Sequence, residues 1–115
     1  MIGALRILLA EWEKHIVPEH PTFYVHEKAD SDLEEIFDYS VEQFGFARAE
    51  QYVYAIEQVF KDLSTNPKLG RRFDPDVSHY FQYPVESHCI FYAPTDTGVE
   101  IFRILHQSML PTLHL

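Results

Sequence analysis

The sequence predicts an α+β domain: a strand, an antiparallel helical hairpin, then a three-stranded antiparallel meander, preceded by an extra N-terminal helix. Three observations carry this. His88-Cys89-Ile90-Phe91-Tyr92 and Val99-Glu100-Ile101-Phe102-Arg103-Ile104-Leu105 are apolar, β-rich runs on either side of the turn formers Pro94-Thr95-Asp96-Thr97-Gly98, the pattern of an antiparallel hairpin. Between Leu33 and Leu63 the apolar spacing changes to three and four, the period of helices that bury one face. A single β-rich run, Thr22 to Lys28, precedes the helices.

The elements follow in order. Leu5, Leu8, Leu9, Trp12 and Ile16 fall at helical spacing until Pro18 and Pro21 stop the run, so residues 1 to 22 read as an N-terminal extension and 23 to 115 as the domain proper. In TFYVHEK, Tyr24 and His26 point one way and Phe23, Val25 and Glu27 the other. The first helix is expected to begin at Asp30 or Ser31, with Ser31 and Glu34 forming a capping box. Its buried stripe is Leu33, Ile36, Phe37, Val41 and Phe44, and Gly45 ends it. The second helix, about Ala47 to Leu63, has the stripe Ala49, Tyr52, Val53, Ile56, Val59, Phe60 and Leu63 and stops at Asn66-Pro67. Pro67 to Val77, holding Arg71 and Arg72, is expected to be a loop. His79 to Tyr83 is the next strand, turned by Pro84-Val85-Glu86-Ser87 into the hairpin.

In the last strand, alternation puts Val99, Ile101 and Arg103 on one face and Glu100, Phe102 and Ile104 on the other. Both faces are apolar, so the strand is expected to be central with a cover on each side. The helical hairpin covers one face of a four-stranded sheet, and the other needs the N-terminal helix or a partner.

Charge narrows the function classes. The formal net charge is −9, unfavourable for binding phosphate backbones through bulk electrostatics. From Phe23 to Thr65 there are 10 acids against 3 bases, and from Asn66 onward 5 against 4. The negative field belongs to the helices, where it is a solvated face or a surface for a basic partner. The one cysteine, Cys89, lies within a strand and is expected to be a buried thiol with no internal disulfide. No apolar run approaches the ~20 residues of a membrane span, and the first residues lack a secretory cleavage pattern. The expectation is a cytoplasmic chain that neither spans nor binds a membrane. His79, His88, Cys89 and His106 lack recurrent metal-ligand spacing, and no Gly-rich phosphate loop or nucleophile motif is present, so neither metal nor cofactor is expected.

Three stretches, Ala29-Asp30-Ser31-Asp32-Leu33-Glu34-Glu35-Ile36, Asn66-Pro67-Lys68-Leu69-Gly70-Arg71, and Ser87-His88-Cys89-Ile90-Phe91-Tyr92 followed by Arg103-Ile104-Leu105-His106-Gln107-Ser108-Met109, resemble in this order the ParE branch of the RelE/ParE toxin family of bacterial toxin–antitoxin systems. The likeness runs from about Phe23 to Met109. It implies a non-catalytic toxin that poisons DNA gyrase and is neutralised by a cognate antitoxin. The alternatives are a ribosome-dependent messenger ribonuclease, as in RelE-type relatives, or a detoxified homologue that only engages an antitoxin.

Metal-free RNA cleavage needs a base, an acid and cations around the phosphate. Its candidates here are Arg71, Arg103 and His106, without a tyrosine beyond Tyr92. For a binding toxin, the expected target surface is Arg71, Arg72, Arg103, His106, Met109 and Leu110. The expected antitoxin surface is Phe81, Tyr83, Phe91, Phe102 and Ile104. Local roles are the simpler alternative: Arg71 pairing with a carboxylate such as Asp74, Arg103 paired or facing a partner, and His88 and His106 hydrogen-bonding near the hairpin base.

Overall fold

A computed structural model describes residues 21–74 and 77–109; for 73–78 only the backbone is described, where it is described at all. The chain runs β1 (Thr22–Val25), α1 (Glu27–Phe44), α2 (Phe46–Thr65), a 3₁₀ turn (Pro67–Leu69), β2 (Arg71–Asp74), β3 (Val77–Val85), β4 (His88–Pro94), β5 (Gly98–His106) and a second 3₁₀ turn (Gln107–Met109). The expected N-terminal helix and Leu110 lie outside the described residues. The predicted α+β class is present, and the sheet has five strands in the order β1-β5-β4-β3-β2. β1 pairs parallel with β5, and the other pairings are antiparallel. β5 is therefore interior, as its two apolar faces predict. No helix of the described residues is long and apolar enough to cross a membrane.

The helical hairpin covers one face. Leu33 and Ile36 from α1, Val53, Ile56, Phe60 and Leu63 from α2, and Val25, Phe81, Ile90, Tyr92, Val99, Ile101 and Ile104 from the sheet make one buried cluster. Phe23 meets Phe60 with ring centroids 5.6 Å apart. The second helical stripe is as read from the sequence. In the first, Phe44 is 64 % exposed and not part of the core, and Gly45 then turns the chain at φ +92.

Several local expectations are corrected. α1 starts at Glu27, one turn early: His26 is its extended N-cap without a side-chain capping bond, and its carbonyl receives Asp30 N–H at 2.9 Å. The Ser31–Glu34 capping box therefore has no free amides to cap. Arg71 and Arg72 lie in a strand and not a loop, pairing with Gln82 and Phe81. A four-residue run of two arginines, Phe73 and Asp74 becomes a strand because β3 offers it an edge. β3 keeps Pro84 and Val85, so only Glu86 and Ser87 turn the hairpin, with Glu86 at φ +51.

The register of β4 and β5 breaks between Phe91, opposite Arg103, and Tyr92, opposite Ile101. Phe102 is the extra residue of a β-bulge, which resets the alternation. Ile104 therefore joins Val99 and Ile101 in the core, contrary to strict alternation.

Candidate functional site

Where β1 ends at Val25, β5 continues with β4 on one side only, and α1 fills the vacated edge with Asp32. Its carboxylate accepts Arg103 Nε at 2.8 Å, Arg103 Nη2 at 3.0 Å and the Ile104 backbone N–H at 2.9 Å. The Asp32 side chain is 11 % exposed and that of Arg103 41 %. The two parallel bonds are the geometry at which a guanidinium and a carboxylate bind best. Hydrogen bonding to Asp32 raises the Arg103 pKa above its ordinary value. Arg103 is the paired structural cation of the two options its sequence position allowed.

This clasp lies in the wall of an open cleft of about 890 Å³ between the helical hairpin and the ends of β4 and β5. His88 and His106 face each other there as register partners, with ring centroids 5.1 Å apart, edge to face. The Tyr52 hydroxyl sits 2.7 Å from His88 Nδ1 and donates to the Val85 carbonyl at 3.2 Å. Burial, reinforced by the neighbouring His106, lowers the His88 pKa to about 4; the ring is neutral at pH 7. Burial and Glu86 push the Tyr52 hydroxyl above its ordinary value, so it too stays neutral. His106 Nδ1 meets Ser108 Oγ at 2.8 Å and receives the Ser108 N–H at 3.1 Å. His106 thus bonds locally, as its position suggested, whereas His88 reaches Tyr52 on α2. Arg48, Glu35, Glu86 and Met109 complete a rim of mixed charge, and Met109 is 65 % exposed.

The cleft thus gathers Arg103, His106 and Met109 from the expected target surface. Arg71 and Arg72 are elsewhere, on β2 at the far edge of the sheet. Three strand spacings separate β2 from β5, roughly 14 Å of backbone. Arg71 therefore stands apart from Arg103 and His106, at the other end of the cross-strand row Arg71–Gln82–Phe91–Arg103.

The expected antitoxin surface divides between the two faces. Phe81 and Ile104 are 7 % and 2 % exposed in the core and offer no free surface, and Tyr83 packs against that core, partly buried. Phe81 and Tyr83 fall on the helix side because Phe81 pairs with Tyr92 and Tyr83 with Ile90, both core residues. Phe91 and Phe102 belong to the other face. There Phe102 contacts His26 at 4.7 Å and Tyr80 at 5.5 Å between centroids, and His26 contacts Tyr24 at 5.1 Å. Glu100 Oε1 lies 2.8 Å from His26 Nε2. Tyr24 and Tyr80 remain 49 % and 42 % exposed. Among the described residues no helix packs on this aromatic face.

Sequence reasoning missed Asp32 and Tyr52 as parts of the site. The signal for Asp32 was its place: four residues before Ile36, a carboxylate within the buried face of α1. Cys89 is buried as expected, and burial raises its pKa. Among the described residues no group of three or more His, Cys, Asp or Glu could hold a metal.

A family model for the ParE toxin of the type II toxin–antitoxin system parDE matches residues 23–111. Toxin ParE1 of Mycobacterium tuberculosis (strain H37Rv) is 34 % identical over 82 residues, covering 70 % of this chain and 84 % of that protein. Toxin ParE1 of Caulobacter vibrioides is 31 % identical over 88 residues, covering 76 % and 91 %. The chromosomal ParDE system of P. aeruginosa contains a chain of the same fold, with TM-score 0.65 and 21 % identity over 76 % of this chain and 97 % of that one. The RelBE2 toxin–antitoxin complex of Mycobacterium tuberculosis contains another, with TM-score 0.57 and 21 % identity over 76 % and 98 %. The chain belongs to the ParE toxin family of type II toxin–antitoxin systems.

Proposed function

We propose that this toxin acts by binding DNA gyrase and trapping it on cleaved DNA, and that a cognate antitoxin holds it inactive in the cytoplasm. The observation that carries the choice of binding over catalysis is the engagement of Arg103. Its guanidinium makes two bonds to Asp32, His106 Nδ1 is engaged by Ser108, and Arg71 is three strands away. Phosphodiester cleavage needs those groups turned to one phosphate. A binding surface needs only a shaped cleft with exposed contacts, and His106 and Met109 supply them. The aromatic face around Phe91 and Phe102 suits the antitoxin, since covering it removes exposed rings from water. Matches to toxins of parDE type and to solved toxin–antitoxin systems support the antitoxin as partner.

Induced expression in a bacterial host tests this reading. The expected outcome is growth arrest with accumulated double-strand breaks, relieved by co-expressed antitoxin, while messenger RNA stays intact. Arrest with cleaved messenger and unbroken chromosomes would move the toxin to the ribonuclease reading. Unimpaired growth of cells that accumulate the folded chain would favour a detoxified antitoxin binder.

A further inference from the structure

The outer face of the sheet carries a run of rings that the core does not use. Tyr24 on β1, His26 just beyond it, Phe102 on β5 and Tyr80 on β3 touch in sequence, at 5.1, 4.7 and 5.5 Å between centroids. Tyr24 and Tyr80 stay exposed. In the order β1-β5-β4-β3, three strand spacings make this patch ~14 Å wide. The sequence holds an apolar stripe that suits it. Leu5, Leu8, Leu9, Trp12 and Ile16 recur at helical spacing, and as a helix that stripe is ~17 Å long at 1.5 Å per residue. It lies outside the residues 23–111 matched by the family model, so it is an addition to the shared fold.

Chain continuity brings the two together. β1 is an edge strand, and its first residue is pinned to the β4–β5 turn, with the Thr22 N–H donating to the Thr97 carbonyl at 2.8 Å. The inner face of β1 is taken by α2, through Phe23 and Phe60. The outer face beside Tyr24 is the one left open. The residues from Val17 to Pro21 reach up to ~17 Å when extended, enough to lead round the edge of the sheet onto that face. Charge agrees with this choice. Residues 1–20 hold Glu11, Glu13 and Glu19 against Arg6 and Lys14, a net of −1. From Phe23 to Thr65 there are 10 acids against 3 bases, which makes the helical hairpin the less favourable seat for a slightly acidic segment.

We propose that residues 5–16 of this chain form a helix that lies across the outer face of the sheet, with Trp12 and the leucines of the stripe packed on Tyr24, Phe102 and Tyr80. This gives β5 its second cover and takes the exposed rings out of water. The face is the one proposed for the antitoxin, so segment and antitoxin exclude each other there. The inference concerns the free chain and does not rest on the antitoxin reading.

Trp12 is the only tryptophan, so its emission, excited selectively over tyrosine, reports on the segment alone. The test is the emission of the purified full chain, native and in urea, across a dilution series, with circular dichroism to confirm the fold of each variant. The expected result is a native emission shifted to the blue of the unfolded chain and unchanged by dilution. Tyr24→Thr with Tyr80→Thr, which keeps β-branched side chains in the strands, should shift it back to the red and raise its quenching by acrylamide. Tyr39→Thr with Tyr54→Thr, an equal loss of exposed tyrosines on the helices, should leave it unchanged. Native emission equal to that of the unfolded chain would overturn the proposal. So would a red shift from the helix pair in place of the sheet pair, which would seat the segment on the hairpin, and a blue shift lost on dilution, which would assign the cover to a second copy.

Discussion

Asp32 accepts three hydrogen bonds while almost buried, two of them from a guanidinium at 41 % exposure. Replacing it by alanine leaves both Arg103 and the Ile104 amide without their acceptor, and should cost about 2–4 kcal/mol. Arg103→Ala leaves the Ile104 bond in place and should cost less, about 1–2 kcal/mol. Urea unfolding of the two single variants and the double variant measures the coupling. Additive costs would mean that the pair does not interact. His88 makes a second residue-scale prediction. Its pKa of about 4 is below the ordinary 6.5, so the unfolded chain takes up the proton first as pH falls. The stability tied to neutral His88 is present above pH 6.5 and lost between 6.5 and 4. His88 is only partly buried, which limits the loss to about 1–2 kcal/mol. His88→Gln should flatten the thermal-stability profile across that window; an unchanged profile would assign the acid sensitivity elsewhere.

At the scale of elements, the turn after α2 is tied down by one phenol. Tyr92 donates its O–H to the Pro67 carbonyl at 2.7 Å and receives the Gly70 N–H at 2.9 Å. A Cβ at Gly70 would stand 2.5 Å from the Gln82 carbonyl oxygen and 2.6 Å from that hydroxyl. Gly70 is thus required for close approach of β2 to β3. Tyr92→Phe should cost about 1–2 kcal/mol, and Gly70→Ala more, because backbone must move; hydrogen exchange should speed first at Arg71 and Arg72. Protection unchanged in both variants would contradict this role. What was legible in the sequence divides along the same line. The helices and the β4–β5 hairpin follow from local periodicity and turn chemistry. β2, the bulge at Phe102 and the Asp32–Arg103 clasp do not, because each depends on a partner far along the chain. The bulge alone moved Ile104 from the expected partner surface into the core, since one extra residue inverts every later side chain. Of the candidate site, Arg103, His106 and Met109 line one cleft, and Arg71 stands three strands away on β2, whose strand state depends on β3 and could not be read locally.

At the scale of the molecule, the hairpin and sheet share one core. Ile56 at its centre is fully buried, and Ile56→Ala should cost roughly 2–5 kcal/mol by chemical denaturation; a change within about 0.5 kcal/mol would refute the helix–sheet packing. On the proposed reading, the aromatic sheet face takes the antitoxin and the cleft between the hairpin and the sheet takes the target. A toxin that works by binding loses potency when a contact is blocked, even though every core residue remains. Met109→Asp should therefore abolish gyrase poisoning while leaving the unfolding midpoint within about 0.5 kcal/mol of the parent. The most direct measurement is a supercoiling reaction with purified gyrase and this chain, scored for cleaved DNA, beside a translation reaction in the same buffer. The account predicts inhibited supercoiling, accumulated cleaved DNA and intact messenger. Cleaved messenger with untouched gyrase would contradict it.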